Sequence, residues 1–256
     1  MKKNLSYLIA AASLMLISAG AMAQGGLTPL VGSTHEYTVI ADDDVNNTLT
    51  WAVTGGTAGT DFTVNSGAAT EQVNITWLTA GTYIVTFTET NPTTSCATVK
   101  TTSVTVGVNT FDVSTSSPTA ICNAADGQVN YAGTDATTPI SFTVDMTTGT
   151  TFSPNWEIKF TLAPGTATLA TVAASAGTLT ESAGVYTLTA IPSASGIKTI
   201  TITMDVTGNI YTVQNVLLTI TSAKELTYNT PDKDSNDWTA TQTINAIPNT
   251  STITTD

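Results

Sequence analysis

The chain has 256 residues, 19 acidic against 7 basic side chains, and only 10% charged residues in all, far below the roughly 25% of an ordinary soluble domain. A net charge of −12 with no arginine excludes a nucleic-acid binder that works by displacing counterions from phosphates, and equally a polybasic contact with anionic lipid. So few ionisable side chains leave little material for acid–base or phosphate chemistry. Threonine fills more than a fifth of the positions and the hydrophobic fraction is 41%, enough to bury a core; β-branched residues of this kind favour the pleated surface of a strand, so an all-β fold is expected.

At the N-terminus Lys2 and Lys3 precede an apolar run from Leu5 to Ile17 and a small-residue end, Ala21-Met22-Ala23, before Gln24. This is the pattern of a secretory signal peptide over 1–23, cleaved after Ala23. The run is too short for a membrane span of about 20 apolar residues, and no membrane span is expected after cleavage. The mature chain then keeps 5 basic against 19 acidic residues, and the expected location is secreted, on an extracellular cell surface. From Leu30 onward short alternating runs are separated by turn clusters, the spacing of a sandwich. The predicted strands of the first region are His35–Ile40, Leu49–Val53, Phe62–Val64, Glu71–Thr76, Gly81–Glu89 and Ala97–Val106. In Tyr83-Ile84-Val85-Thr86-Phe87-Thr88 the period is two, which is a strand and not a helix.

The stretch Val73-Asn74-Ile75-Thr76-Trp77, the turn Gly81-Thr82-Tyr83 and the closing Val104-Thr105-Val106 resemble the PKD-like branch of the immunoglobulin-like β-sandwiches. The resemblance covers about residues 27–107, within a first domain expected over 24–108, with Trp51 matching the tryptophan of the third strand and His35–Val39 the aromatic second strand. The aspartate–glycine loop of the best-known members is replaced by Val53-Thr54-Gly55-Gly56. The resemblance implies an all-β fold of tandem antiparallel sandwiches. A second sandwich is predicted over 109–222 from eight candidate strands: Phe111–Ser114, Gln128–Tyr131, Ile140–Met146, Trp156–Leu162, Leu169–Val172, Val185–Ile191, Ile197–Val206 and Ile210–Thr221. Its run Cys122-Asn123-Ala124-Ala125-Asp126-Gly127 is similar to the opening of short repeats in adhesins of gliding Gram-negative bacteria. A polar, turn-rich tail over 223–256 carries one more strand, Trp238–Ile247, expected to close the second sandwich or to pair with a neighbouring molecule.

Groupings that carry chemistry are scarce. His35 is the only histidine, with no serine or cysteine arrangement of a triad beside it, and neither a zinc site nor a phosphate-cradling glycine loop is present. Asp42, Asp43 and Asp44, with Asn46 and Asn47, form the densest oxygen-rich cluster. Calcium takes six to eight oxygen ligands, so this loop is the calcium candidate, followed by Asp232, Asp234 and Asp237. Trp51, Trp77 and Trp156 are expected in the cores. Cys96 and Cys122 leave three states open: two buried unpaired thiols, an intramolecular disulfide, or Cys96 of one molecule joined to Cys122 of another. The strand from Ala97 to Val106 carries the chain some 30 Å from Cys96, which disfavours the intramolecular bridge. Together these readings predict a non-enzymatic structural or adhesive surface protein whose partners are other protein subunits, including copies of itself, with a carbohydrate-binding module that takes polysaccharide as the alternative.

Overall fold

The computed structural model describes residues 26–42, 46–128, 132–148, 155–192 and 198–250. The signal segment, Asp43, Asp44 and most of the expected Gln128–Tyr131 strand lie outside them. No helix of the described residues is long and apolar enough to cross a membrane.

Six strands build the first sandwich: β1 (Thr34–Thr38), β2 (Thr48–Thr54), β3 (Phe62–Ser66), β4 (Gln72–Trp77), β5 (Gly81–Thr90) and β6 (Ala97–Val106). They form two antiparallel three-stranded sheets, β1-β4-β3 and β2-β5-β6. Labelled B to G in chain order, these are B-E-D and C-F-G, the strand order of the immunoglobulin constant-type sandwich. Alternation drives the arrangement: along β5, Tyr83, Val85 and Phe87 point into the core while their neighbours face solvent. Trp77, fully buried at the end of β4, is the hub, with Tyr37, Phe62 and Tyr83 around it and ring centroids 4.9–6.4 Å apart across the cluster. The Tyr83 hydroxyl donates to the Thr79 carbonyl at 2.8 Å, the tyrosine corner at the turn between the fifth and sixth strands of such domains. Trp51 was expected in this core and is instead only half-buried. It leans on Phe87, its partner across the β2–β5 pair, and donates its indole N–H to the Thr70 carbonyl.

The second sandwich has β7 (Asp112–Thr115), β8 (Ile121–Cys122), β9 (Asp135–Thr147), β10 (Trp156–Ala163), β11 (Thr168–Ala174), β12 (Thr178–Ser182), β13 (Val185–Ile191), β14 (Thr199–Asn209), β15 (Gln214–Glu225) and β16 (Thr239–Asn245). A six-stranded sheet, β12-β13-β10-β15-β16-β8, faces a four-stranded one, β11-β14-β9-β7. The 13 residues of β9 alternate between solvent and core almost without interruption, and Phe142, Trp156, Phe160, Ile200 and Ile202 fill the space between the sheets. The tail strand β16 lies between β15 and β8, so it completes its own sheet. β8 and β12 escape the sequence pattern because one has two residues and the other is almost wholly polar. β12 is held by the tight turn at Ala183-Gly184, where both φ angles are positive.

Candidate functional site

Nothing catalytic is assembled among the described residues. His35 is 2% exposed, its Nε2 lies 2.9 Å from the Ser33 hydroxyl, and its ring stacks on Tyr228 at 4.2 Å. Burial pushes its pKa down to about 4, so at neutral pH it is an uncharged packing residue. An open groove of about 500 Å³ on the second sandwich has Asp205 as its sole ionisable lining residue, which is no acid–base pair.

What the fold does present is a strand edge. β6 pairs with β5 on one side over its whole length. On the other side the segment before β1 runs parallel to the end of β6: Thr105 N donates to Leu27 O at 2.9 Å, Gly107 N to Pro29 O at 2.8 Å, and Val31 N to Gly107 O at 2.9 Å. Backbone groups of successive strand residues point to opposite sides, so Thr105 and Gly107 fix the parity. The amides of Ala97, Val99, Thr101 and Ser103 face the same outer edge, where no strand of the described residues pairs with them. Val99 is 56% exposed there. The other edges carry the usual protections. β8, β7 and β12 are short. β3 and β11 are bulged, the latter with Thr171 at φ 54°. In β2, Trp51 N is taken by Ala68 O, and in β1, Thr34 N is taken by Tyr228 O. A ten-residue edge without bulge or proline is therefore the exception in this molecule. Lys100, the one basic residue between Gln24 and Glu157, sits in its middle.

A second construction joins the sandwiches. Glu225, at the end of β15, is fully buried, yet its carboxylate accepts hydrogen bonds from Thr227 N (2.7 Å), Tyr228 N (2.7 Å), Thr230 N (2.8 Å) and the Thr230 hydroxyl (2.9 Å). These shape a loop that reaches the first sandwich, where Tyr228 meets Thr34 and His35. Pro231 presses against Gly32 so closely that a Cβ there would lie 2.7 Å from its Cδ; with φ at +87°, only glycine fits. Asn109 Nδ2 donates to Pro231 O at 2.8 Å. Beyond it, Asp232 accepts from Val113 N at 2.6 Å and Asp234 N at 2.8 Å. Burial pushes the Asp232 carboxyl up to about 6 against the pull of those bonds.

Of the Asp42–Asp44 cluster only Asp42 is among the described residues. Asp42 is exposed, but its backbone N–H donates to both oxygens of the buried Glu89 at 3.1 Å, and Asn47 Nδ2 adds a bond of 2.7 Å. Part of the Asp42–Asn47 loop thus wraps a carboxylate with its donors. Of the tail acids, the carboxylates of Asp234 and Asp237 gather with that of Asp112, 122 positions before Asp234 in the chain; oxygens of the three lie within 4.8 Å of one another, a geometry able to offer ligands to a hard cation such as calcium. Lys233 Nζ lies 2.5 Å from Asp112 Oδ2 and 3.9 Å from Asp234 Oδ2, so the cluster holds an internal counter-charge. Lys233→Met is expected to lower the melting temperature at pH 7 and to have a smaller effect at pH 3, where the carboxylates are protonated. An equal loss at both pH values, read by calorimetry, contradicts an electrostatic role. Cys96 and Cys122 are both unpaired and exposed, where burial was the expectation for free thiols. Each lies at a chain reversal or a sheet margin and not inside a core.

No protein-family model and no curated protein sequence matches the chain. Solved structures similar to it include the adhesive subunit CfaE of the CFA/I fimbria of enterotoxigenic Escherichia coli, at 10% identity, covering 87% of this chain and 98% of that one with a TM-score of 0.35. A chimeric titin Z1Z2 carrying a decorin peptide matches at 9% identity, 86% and 92% coverage and a TM-score of 0.32. The fibronectin(III)-like modules of Clostridium thermocellum CbhA match at 11% identity, 87% and 90% coverage and a TM-score of 0.29. The fold assignment rests on the sheets and the tyrosine corner described above.

Proposed function

We propose that this is a non-enzymatic, secreted structural or adhesive protein of the Gram-negative cell surface, and that it joins other subunits by strand addition at the free edge of β6. The observation that carries the reading is that edge: backbone donors and acceptors from Ala97 to Ser103 aligned along a regular, unbulged strand in a molecule whose other edges are shortened, bulged or engaged. An incoming strand gains a hydrogen bond for every outward group, and side-chain contacts on both faces set its specificity. Lys100 adds a constraint on register, because like charges directly opposite each other destabilise a pair; it selects against a symmetric pairing that places Lys100 opposite its own copy. A carbohydrate-binding module would need an exposed aromatic platform. Trp77 and Trp156 are buried, and the indole N–H groups of Trp51 and Trp238 are directed to Thr70 O and Asp232 Oδ2, which favours assembly.

Parity supplies a clean test. The Thr101 N–H points outward, so Thr101→Pro leaves the β5–β6 ladder intact while deleting an edge donor. The expected result is a folded variant with native near-UV circular dichroism that stays monomeric in sedimentation at concentrations where the mature wild type associates. Lys100→Pro, which removes a bond to β5, is expected to unfold more easily. Association of Thr101→Pro equal to that of the wild type refutes the edge assignment.

A further inference from the structure

The two exposed thiols lie at opposite ends of the molecule. Cys96 closes the loop between β5 and β6, its carbonyl accepting from Asn91 N at 2.9 Å. From there the 10 residues of β6 lead to the junction at Gly107–Asn109, a path of about 30 Å at 3.3 Å per residue. Cys122 lies on β8 opposite Asn245, next to the Ile121–Ile244 pair, and Ile244 in turn faces Gln214, the first residue of β15. From that end the 12 residues of β15 lead back to Glu225 at the junction, about 35 Å away. Among the described residues, the contacts between the sandwiches cluster at that junction: Tyr228 with Thr34 and His35, and Pro231 with Gly32. A disulfide requires Cα atoms within about 7 Å, which the two cysteines of one chain do not reach while the junction holds. Each thiol also borders an open edge. The free edge of β6 begins at Ala97, beside Cys96. At the other end Asn123 N donates inward to Asn245 O, so alternation turns the backbone groups of Cys122 to the outer side of β8.

We infer that Cys96 of one molecule forms a disulfide with Cys122 of the next, a head-to-tail covalent link that repeats along a filament. The inference rests on the assembly reading above and gives it a direction: the end of the first sandwich of one copy meets the end of the second sandwich of another. Two different surfaces meet, so the contact is heterologous and is left open for a further copy. In forming the link the two thiols lose two protons and two electrons and one S–S bond is made. The electrons pass to a disulfide-form oxidant such as oxidised glutathione, which leaves as two thiols.

The test uses the mature chain incubated with oxidised and reduced glutathione, followed by non-reducing electrophoresis and mass spectrometry of unreduced peptides. The expected result is a ladder of covalent oligomers whose linked peptide pairs Cys96 with Cys122. An equimolar mixture of Cys96→Ser and Cys122→Ser proteins, each offering one end, is expected to give that linked peptide in dimers and to stop there. Thiols that stay reduced, or links found only as Cys96–Cys96 and Cys122–Cys122, overturn the inference. Sedimentation of the Cys96→Ser/Cys122→Ser double variant separates the two failures. If it assembles while the wild type shows no Cys96–Cys122 link, the strand edge stands and the covalent link falls. If both proteins remain monomeric, both readings fall.

Discussion

Glu225→Ala is expected to lower stability by about 3–5 kcal/mol, because it leaves several part-buried or buried donors without a partner at about 1–3 kcal/mol each. The carboxylate accepts from the N–H groups of Thr227, Tyr228 and Thr230, and alanine removes it without supplying a substitute. Glu225→Gln is a milder change: it keeps one acceptor oxygen but turns an NH2 group toward donors, so its loss is expected to fall between the wild type and alanine. The same loop carries Tyr228 onto His35 and Pro231 onto Gly32, so the damage should spread to the junction. Urea unfolding followed by tryptophan fluorescence, read together with limited proteolysis around residues 226–234, measures both effects. A loss below about 1 kcal/mol in Glu225→Ala means that water substitutes freely and that the carboxylate does not organise the loop.

Acidification is expected to weaken the molecule through His35. Its folded pKa lies near 4, against an ordinary value of 6.5; the buried imidazole between Ser33 and Tyr228 is held neutral. Below pH 6.5 the unfolded chain takes up a proton that the folded one refuses, so this contribution to stability is complete above pH 6.5 and is lost as pH falls toward 4. The loss approaches about 3 kcal/mol. Asp232 works in the opposite sense: its carboxyl titrates near 6 in the fold against 3.8 when unperturbed. The folded state therefore binds a proton first, and stability rises as pH falls from 6 toward 3.8. The two groups belong to the same junction and offset each other in the wild type, so single variants are needed to see either. Asp232→Asn is expected to steepen the loss of stability between pH 6.5 and 4, and His35→Phe, which keeps the stack on Tyr228, to flatten it. An unchanged slope in His35→Phe places the proton uptake elsewhere.

Much of the fold was legible because it is local. Period-two alternation located all six strands of the first sandwich and most of the second, and the Gly81-Thr82-Tyr83 turn singled out in the sequence is where the structure places the tyrosine corner. The missed pieces depend on partners distant in sequence. β12 is polar because it hangs on β13 at a sheet margin, and β8 owes its two residues to β16, more than a hundred positions later. Asp112 joins Asp234 and Asp237 through the packing of β7 beside the tail loop, which no spacing rule announces. The acids were the hardest to read. Acidic side chains are mostly exposed, and nothing in the sequence marks Glu89 and Glu225 as the buried acceptors for loop donors that they are. The free edge of β6 was equally silent: its sequence alternates like any strand, and only the sheet order and the parity set by Thr105 and Leu27 show which amides face outward.

Those amides offer the most direct measurement. Hydrogen–deuterium exchange of the mature protein, resolved by NMR or fragmentation mass spectrometry to single residues of β6, compares the monomer with the assembled state. The account predicts fast exchange at Val99, Thr101 and Ser103 in the monomer, slow exchange at Lys100 and Thr102, which bond to β5, and strong new protection of the first three on assembly. Assemblies in which Val99, Thr101 and Ser103 exchange as fast as in the monomer would contradict it.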